Sequence, residues 1–318
     1  MCTKLLAFIV FSIGAIAQTP DQLQAGAVSV QMRNVIYHYP NNVIVHILQL
    51  GGALVPVHPG SIPVFDDKNS FRLQIDAAEM AITPESMANV LNSYVFSDKD
   101  APIKDVEVRI EKDRIKIKGK LHKKGDVSFE TESSLTVTAD GKIRMHAEKV
   151  RALHLPVKGL MDLFGVEVAD LIKSGKVRGV TAEKDDLILD PSEAFPPPHI
   201  QGKVTGIKLQ GGNIVQIFGA PESYKWRNVQ AKNYMAYRGN RLQFGKLTMS
   251  DTDMVLIDPD PSDPFDFYLD HYKEQLMAGY SKTTGDFGLR VYMVDYNKLS
   301  QDHSPQRPKK GLRSAKPK

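Results

Sequence analysis

Cysteine is almost absent from this chain of 318 residues, in which Cys2 is the single example. Cys2 precedes an apolar segment that is interpreted below as a cleaved export signal, so we expect the mature chain to contain no cysteine. That expectation excludes cysteine nucleophiles, cysteine-ligated zinc and redox pairs. An exported protein without disulfides relies on its hydrophobic core, and a chain of this length can bury a sizeable one.

The chain also lacks the long apolar runs of a polytopic membrane protein. Its apolar run at residues 5–16 is too short to cross a bilayer comfortably, and Lys4 precedes it. Residues Ala15 to Ala17 then give the small-x-small pattern of a signal-peptidase site. These features predict a secretory signal over residues 1–17 and a secreted or periplasmic location in the cell envelope. An uncleaved single-pass anchor is the alternative.

The body of the chain has no excess of basic residues. The formal net charge of the whole chain is +4, but without Lys4 and the six Lys and Arg residues of the 303–318 tail it is −3 for residues 18–302. A body with a negative net charge binds a phosphate backbone poorly, so nucleic acid is not an expected partner. The tail over residues 300–318 is expected to be disordered, because it is polar and contains prolines. Its 303–318 part is expected either to contact anionic membranes peripherally or merely to aid solubility.

Known catalytic motifs are missing. The sequence contains no P-loop, no glycine-rich dinucleotide turn after a strand, no nucleophile elbow and no HExxH helix. The nine histidines are scattered, and several lie within predicted strands. The sequence therefore predicts a protein that is not an enzyme and that needs no cofactor.

Alternating apolar residues predict a mainly β (α+β) fold. Strands over residues 28–37 and 43–52 flank a turn at Pro40–Asn42, which predicts a hairpin. Between residues 106 and 147 a series of strands has one apolar face and one face rich in Lys, Arg and Glu. That pattern predicts an antiparallel meander.

Two amphipathic helical segments accompany these strands. Thr83 and Pro84 predict the start of a helix that ends near Ser97. The apolar stripe of this helix consists of Met87, Val90, Leu91, Tyr94 and Val95. The second segment runs from residue 155 to residue 172 and carries Leu160, Met161, Leu163 and Phe164. Such large, soft side chains either line an adaptable apolar groove or simply cover the sheet as core.

The short proline stretch at Phe195–Pro198 separates residues 18–195 from a second β-rich region, residues 199–299. This region is expected either to continue the first sheet or to form a separate module. Hairpin turns are predicted at Gly211–Gly212 and at Gly239–Asn240. A helix is predicted to begin at Asp263 and to carry Phe265, Tyr268, Leu269, Tyr272, Leu276 and Met277.

Carboxylates are concentrated between Asp251 and Asp266. Oxygen ligands of this kind suit calcium, and Asp258, Asp260 and Asp263 are the candidate ligands. The spacing does not fit an EF-hand, and turn formation and helix capping also explain several of these residues. An exported hydrolase that uses this acidic region is therefore an alternative function.

Residues 83–92, 106–119 and 141–145 together carry a resemblance to a known family. In the order helix, alternating strands and apolar helix, residues 82–174 resemble bacterial exported phospholipid-binding proteins, which are related to the tubular lipid-binding (TULIP-like) superfamily. The resemblance implies a long curved antiparallel sheet with amphipathic helices packed on its apolar face, and a trough for acyl chains. The predicted function is therefore binding of a lipid or another apolar ligand in a groove between sheet and helices, for lipid transfer or envelope maintenance. A structural envelope protein without a ligand is a further alternative.

Overall fold

The structure is a computed structural model that describes residues 26–101, 103–122, 126–152, 155–157, 177–183 and 185–299. The predicted signal, the basic tail and the groove candidates Leu160, Met161, Leu163 and Phe164 lie outside these residues. Within them the predicted fold class is confirmed, because the chain is mainly β with a curled antiparallel sheet.

A large sheet holds eleven strands from both ends of the chain. They are β1 (Val28–Tyr39), β2 (Val43–Pro56), β3 (Phe71–Ile82), β11 (Ile200–Gln201), β12 (Val204–Gln210), β13 (Asn213–Gly219), β14 (Tyr234–Phe244), β15 (Leu247–Ile257), β16 (Phe265–Tyr268), β17 (Tyr280–Thr283) and β18 (Leu289–Tyr292). The spatial order is β12-β13-β3-β2-β1-β14-β15-β18-β17, while β11 pairs with β3 and β16 pairs with β1. Strands from both sides of Phe195–Pro198 thus belong to one sheet.

The first hairpin forms where the sequence predicts it. Tyr39 pairs with Val43, and the turn between them places Asn41 and Asn42 at φ values of 61° and 56°. Asparagine adopts this left-handed conformation more readily than other residues with a β-carbon. The second predicted hairpin, which turns at Gly211 and Gly212, also forms and joins β12 to β13.

The predicted helix is confirmed as α1 (Pro84–Val90), which continues as one π-helical turn over Leu91–Val95. The Thr83 hydroxyl accepts a hydrogen bond from the Ser86 amide at 3.0 Å, so it satisfies a backbone donor that the first helical turn leaves free. In the π-helical turn, the Phe96 amide donates to the Leu91 carbonyl at 2.8 Å.

Removal of this cap should have a small, measurable effect. We expect Thr83→Ala to lower the free energy of unfolding by about 1 kcal/mol, because the Ser86 amide loses its acceptor. Urea unfolding monitored by circular dichroism measures the change. Thr83→Ser keeps the hydroxyl and serves as the control. Equal stability of both variants and the wild type would contradict the role of the cap.

A small sheet of seven strands follows α1. Its strands are β4 (Ile103–Glu111), β5 (Arg114–His122), β6 (Asp126–Val137), β7 (Ile143–Ala152), β8 (Leu155–Val157), β9 (Val180–Glu183) and β10 (Asp186–Leu189). The order is β4-β5-β6-β7-β10-β9, with β8 paired to β7, so the predicted meander is confirmed. One feature differs from the prediction, because β8 replaces the first residues of the predicted second helix.

The small sheet has one apolar and one charged face. The inner face carries residues such as Ile115 and Ile117, and the outer face carries ion pairs. There, the ammonium of Lys116 lies 3.1 Å from a carboxylate oxygen of Glu111 and 3.5 Å from one of Glu130. The alternation buries one side of each strand and leaves the other side in water.

Two predictions in the last third are wrong. Strand β14 runs through Gly239 and turns only after Phe244, because Gly239 lies opposite Val28 inside the sheet. A β-carbon at Gly239 would lie 3.0 Å from the Val28 α-carbon, so the glycine permits close strand approach rather than a turn. Residues Phe265–Tyr268 form β16, parallel to β1, instead of a helix. Phe265 and Phe267 both lie in the core, and their spacing of two residues is the period of a strand.

The remaining helices are short. They are α2 (Pro191–Ala194), α3 (Tyr272–Met277) and 3-10 turns over Leu269–His271 and Tyr296–Lys298. Helix α3 therefore contains only the end of the helix predicted from Asp263. None of the helices in the described ranges is long and apolar enough to cross a membrane.

Candidate functional site

An apolar trough lies between α1, the inner face of the small sheet and the β12–β13 edge of the large sheet. Its cavity has a volume of about 80 Å³. The described lining residues are Met87, Leu91, Phe96, Ile103, Val106, Ile115, Ile117, Phe129, Thr131, Leu135, Ile143, Met145, Val180, Leu187, Leu189, Ile207 and Ile214. We use the name apolar trough for this set.

The floor of the trough follows from the alternation of β4 to β7. Ile115 and Ile117 of β5 point inward, as does Phe129 of β6. Gly119 pairs with Phe129 across the two strands, and a β-carbon at Gly119 would lie 2.9 Å from the phenyl ring. The glycine thus lets the ring lie across β5, so Phe129 takes its place in the floor.

The roof consists of α1 and the π-helical turn that continues it. Hydrogen bonds of Asn92 and Ser86 hold this helix in place. The Asn92 amide donates to the Val106 carbonyl at 2.8 Å, and its oxygen accepts from the Val106 amide at 2.9 Å. These bonds satisfy the backbone where the register of β4 against β5 shifts, beside Asp105 at a φ of 54°. On the other side, the Ser86 hydroxyl accepts from the Ile44 amide at 3.0 Å.

The structure divides the residues predicted for the groove. Met87 and Leu91 line the apolar trough, whereas Val90 and Val95 are fully buried core residues outside it. Tyr94 points away, because its hydroxyl donates to the Pro40 carbonyl and accepts from the Asn41 amide, both at 3.0 Å. A helical period of 3.6 residues per turn places all five residues on one stripe, but only one edge of that stripe faces the cavity.

The sequence predicts no individual residue of the floor or of the far wall of the trough. The sequence predicts a groove between sheet and helices without assigning any residue of the sheet to it. Ile207 and Ile214 come from the 199–299 region, which is expected either to continue the first sheet or to form a separate module. The alternation of β4 to β7 was the available signal for the floor. The contribution of β12 and β13 depends on their pairing beside β3, which short-range patterns do not determine.

Polar chemistry is nearly absent from the trough. Of the described lining residues, only Thr131 has a polar side chain, and its hydroxyl accepts a long hydrogen bond of 3.4 Å from Ser133. None of these lining residues ionises, and Thr131 carries the one hydroxyl among them. The arrangement can hold hydrocarbon by dispersion and the hydrophobic effect, and it places no acid or base against a bound molecule.

The acidic region forms a different kind of cluster. Oxygen atoms of Asp258, Asp263 and Asp295 lie within 4.8 Å of one another. The ammonium of Lys298 lies 2.9 Å from Asp260, 3.1 Å from Asp263 and 2.9 Å from Asp295. The ammonium donates hydrogen bonds to these carboxylates, that of Asp295 first, and these bonds hold the pKa of Lys298 well above its usual range. Lys298 therefore supplies inside the chain the positive charge that a calcium ion would bring.

The other acidic residues of this region are dispersed. Asp253 pairs with Arg290 at 3.0 Å, and an Asp266 carboxylate oxygen lies 2.5 Å from His38 Nε2. That close approach does not have the orientation of a hydrogen bond. Asp266 belongs to β16, so it does not lie in the first turn of the helix that was expected to begin at Asp263.

No family model, curated protein or solved structure matches this chain. The resemblance to exported phospholipid-binding proteins therefore stays a prediction.

Proposed function

We propose that this protein binds the hydrocarbon chain of a lipid or a similar apolar ligand in the apolar trough. The observation that carries the proposal is the composition of the lining, in which Thr131 is the single polar residue among those described. Burial of hydrocarbon contributes about 0.8 kcal/mol for each methylene group that leaves water. An apolar cavity of this kind stays dry and takes apolar guests.

The volume of the cavity limits how the ligand binds. At about 80 Å³ it is smaller than the engineered apolar cavity of about 150 Å³ that accepts benzene in another protein. The resting trough therefore holds a short stretch of one chain, and a longer stretch requires its walls to move. Met87 and Met145 are unbranched and soft, so they can rearrange at low cost.

A polar headgroup stays outside the trough in this proposal. A charged or zwitterionic group would lose its hydration inside, where the described lining offers it no partner. The ligand thus binds with its tail inserted and its head at the opening. Lipid transfer or envelope maintenance by an exported protein agrees with such binding, and the signal predicted over residues 1–17 is the basis for export.

Native mass spectrometry of the purified full-length protein tests the proposal. We expect adducts whose masses match lipids or fatty acids, and we expect added hexadecanoic acid to displace an apolar fluorescent probe. A bound metal without a lipid would favour the hydrolase alternative. A protein that carries no adduct and takes up no probe would contradict the proposal and favour the structural alternative.

A further inference from the structure

Three glutamine side chains are buried in the described part of the chain, namely Gln31, Gln216 and Gln275. Two of them have fully bonded amides. Gln31 accepts from the Arg227 amide at 2.9 Å and donates to the Arg227 carbonyl at 3.0 Å. Gln275 accepts from one backbone amide at 3.0 Å and donates to two carbonyls at 2.8 Å. Both amides therefore have structural roles.

Gln216 differs from the other two. The residue is only 4% exposed, and its side chain forms no hydrogen bond with any of the described residues. It lies on β13 between Ile214 and Phe218, which share its inward face. Buried side-chain amides are nearly always bonded, so this one indicates a partner that is not among the described residues, such as a bound molecule.

Gln216 lines a second cavity, which has a volume of about 20 Å³. The other walls of this cavity are Tyr39, Val45, Ile47, Leu50, Leu73, Ile75, Met80, Ala81, Ile82, Phe195 and Ile200. A third cavity of about 30 Å³ shares Tyr39, Ile47 and Leu73 with the second one. Gln216 is thus a polar residue in an otherwise largely apolar interior.

The second cavity adjoins the apolar trough. Ile214 lines the trough, and Gln216 follows two residues later on the same face, which places their α-carbons about 7 Å apart. Ile82 pairs with Ile214 across the strands and lines the second cavity. A chain that extends beyond the trough along the inside of the large sheet would therefore reach Gln216.

We infer that Gln216 determines specificity by binding an oxygen atom within the hydrocarbon part of the ligand. This inference rests on the proposed function and names the ligand class more closely, as a chain with a hydroxyl or carbonyl group at some distance from its head. A side-chain amide both donates and accepts, so it suits either group. A single water molecule is the alternative occupant, because the cavity has room for one.

Paired ligands and paired variants test the inference. The probes are hexadecanoic acid, a series of its analogues with one hydroxyl at successive carbons, and the corresponding oxo acids. We expect the wild type to bind one hydroxy or oxo acid about tenfold more tightly than hexadecanoic acid, as one buried hydrogen bond allows. Gln216→Met keeps the length of the side chain. It should abolish this preference and still bind hexadecanoic acid.

Stability supplies the second readout, with Gln31→Met as the control. Gln216→Met should raise the melting temperature of the free protein, because it removes an unbonded buried amide. Gln31→Met should lower it, because the backbone of Arg227 loses both of its partners. A comparable loss in both variants would show that a water already satisfies Gln216, and would overturn the inference. Equal binding of all the acids would also overturn it, whereas binding of none would contradict the proposed function instead.

Discussion

Leu91→Asp should abolish ligand binding while the protein stays folded. Leu91 lines the apolar trough and is partly exposed, so a carboxylate there can keep part of its hydration in the free protein. A bound hydrocarbon chain would remove that hydration at a cost of several kcal/mol. We expect the affinity for hexadecanoic acid to fall by about a hundredfold or more, with a modest loss of melting temperature.

Val90→Asp is the matched control, since it changes the adjacent residue of the same helix. Val90 is fully buried and lies outside the trough, so its substitution introduces a charge into dry core. We expect this variant to unfold. Probe displacement and circular dichroism on both proteins measure the contrast. If Leu91→Asp also unfolds, or if it binds the acid normally, Leu91 does not line an open binding site.

Lys298→Met should lower the melting temperature by several degrees near neutral pH. The ammonium forms ion pairs with three carboxylates, and one of them, Asp295, is buried. Burial raises the pKa of Asp295, and Lys298 opposes this shift. Without the lysine, the folded state must hold a buried carboxylate with no cation beside it, which strongly destabilises a protein.

The loss of melting temperature in Lys298→Met should become larger as the pH rises. In Lys298→Met the pKa of Asp295 rises further above its unfolded value, so the folded state binds the extra proton. Such a group supports stability below the unfolded pKa, and the support is lost as the pH rises through the folded pKa. The variant should therefore approach the wild type at about pH 4 and fall below it at about pH 7.

Lys273→Met is the control for this experiment, because Lys273 is exposed and lies over the ring of Tyr272. Thermal unfolding of the three proteins across this pH range measures the effect. A deficit for Lys298→Met that is the same at both pH values would show that its pairing with Asp295 contributes little. Calcium that restores the wild-type melting temperature would favour a cation site at these carboxylates.

Local signals in the sequence predict the local structure well. The Thr83 cap, the asparagine turn of the first hairpin and the alternation of β4 to β7 each have a short-range cause, and the structure confirms all three. Two of the predicted trough residues, Met87 and Leu91, follow from the same helical periodicity. Periodicity defines a face of the helix, but the neighbours of that face determine which residues line a cavity.

The remaining features depend on partners that are distant in the chain. Gly239 looks like a turn residue until β1 is placed beside β14, where the glycine allows Val28 to approach. Phe265 and Phe267 look helical until β16 pairs with β1. Gln216 carries no local signal of any kind, because the lack of a bonding partner becomes visible only when the strands around it are assembled.

The arrangement of the two sheets has a consequence for the order of folding. In the small sheet, β4 to β7 pair with their neighbours in sequence, so these contacts can form early. In the large sheet, β1 lies between β2 and β14, and Val28 pairs with Gly239. Pairing over such a separation is slow, because closing a long loop costs conformational entropy before any contact compensates for it. We therefore expect α1 and the small sheet to assemble first. The pairing of β1 with β14 should form later.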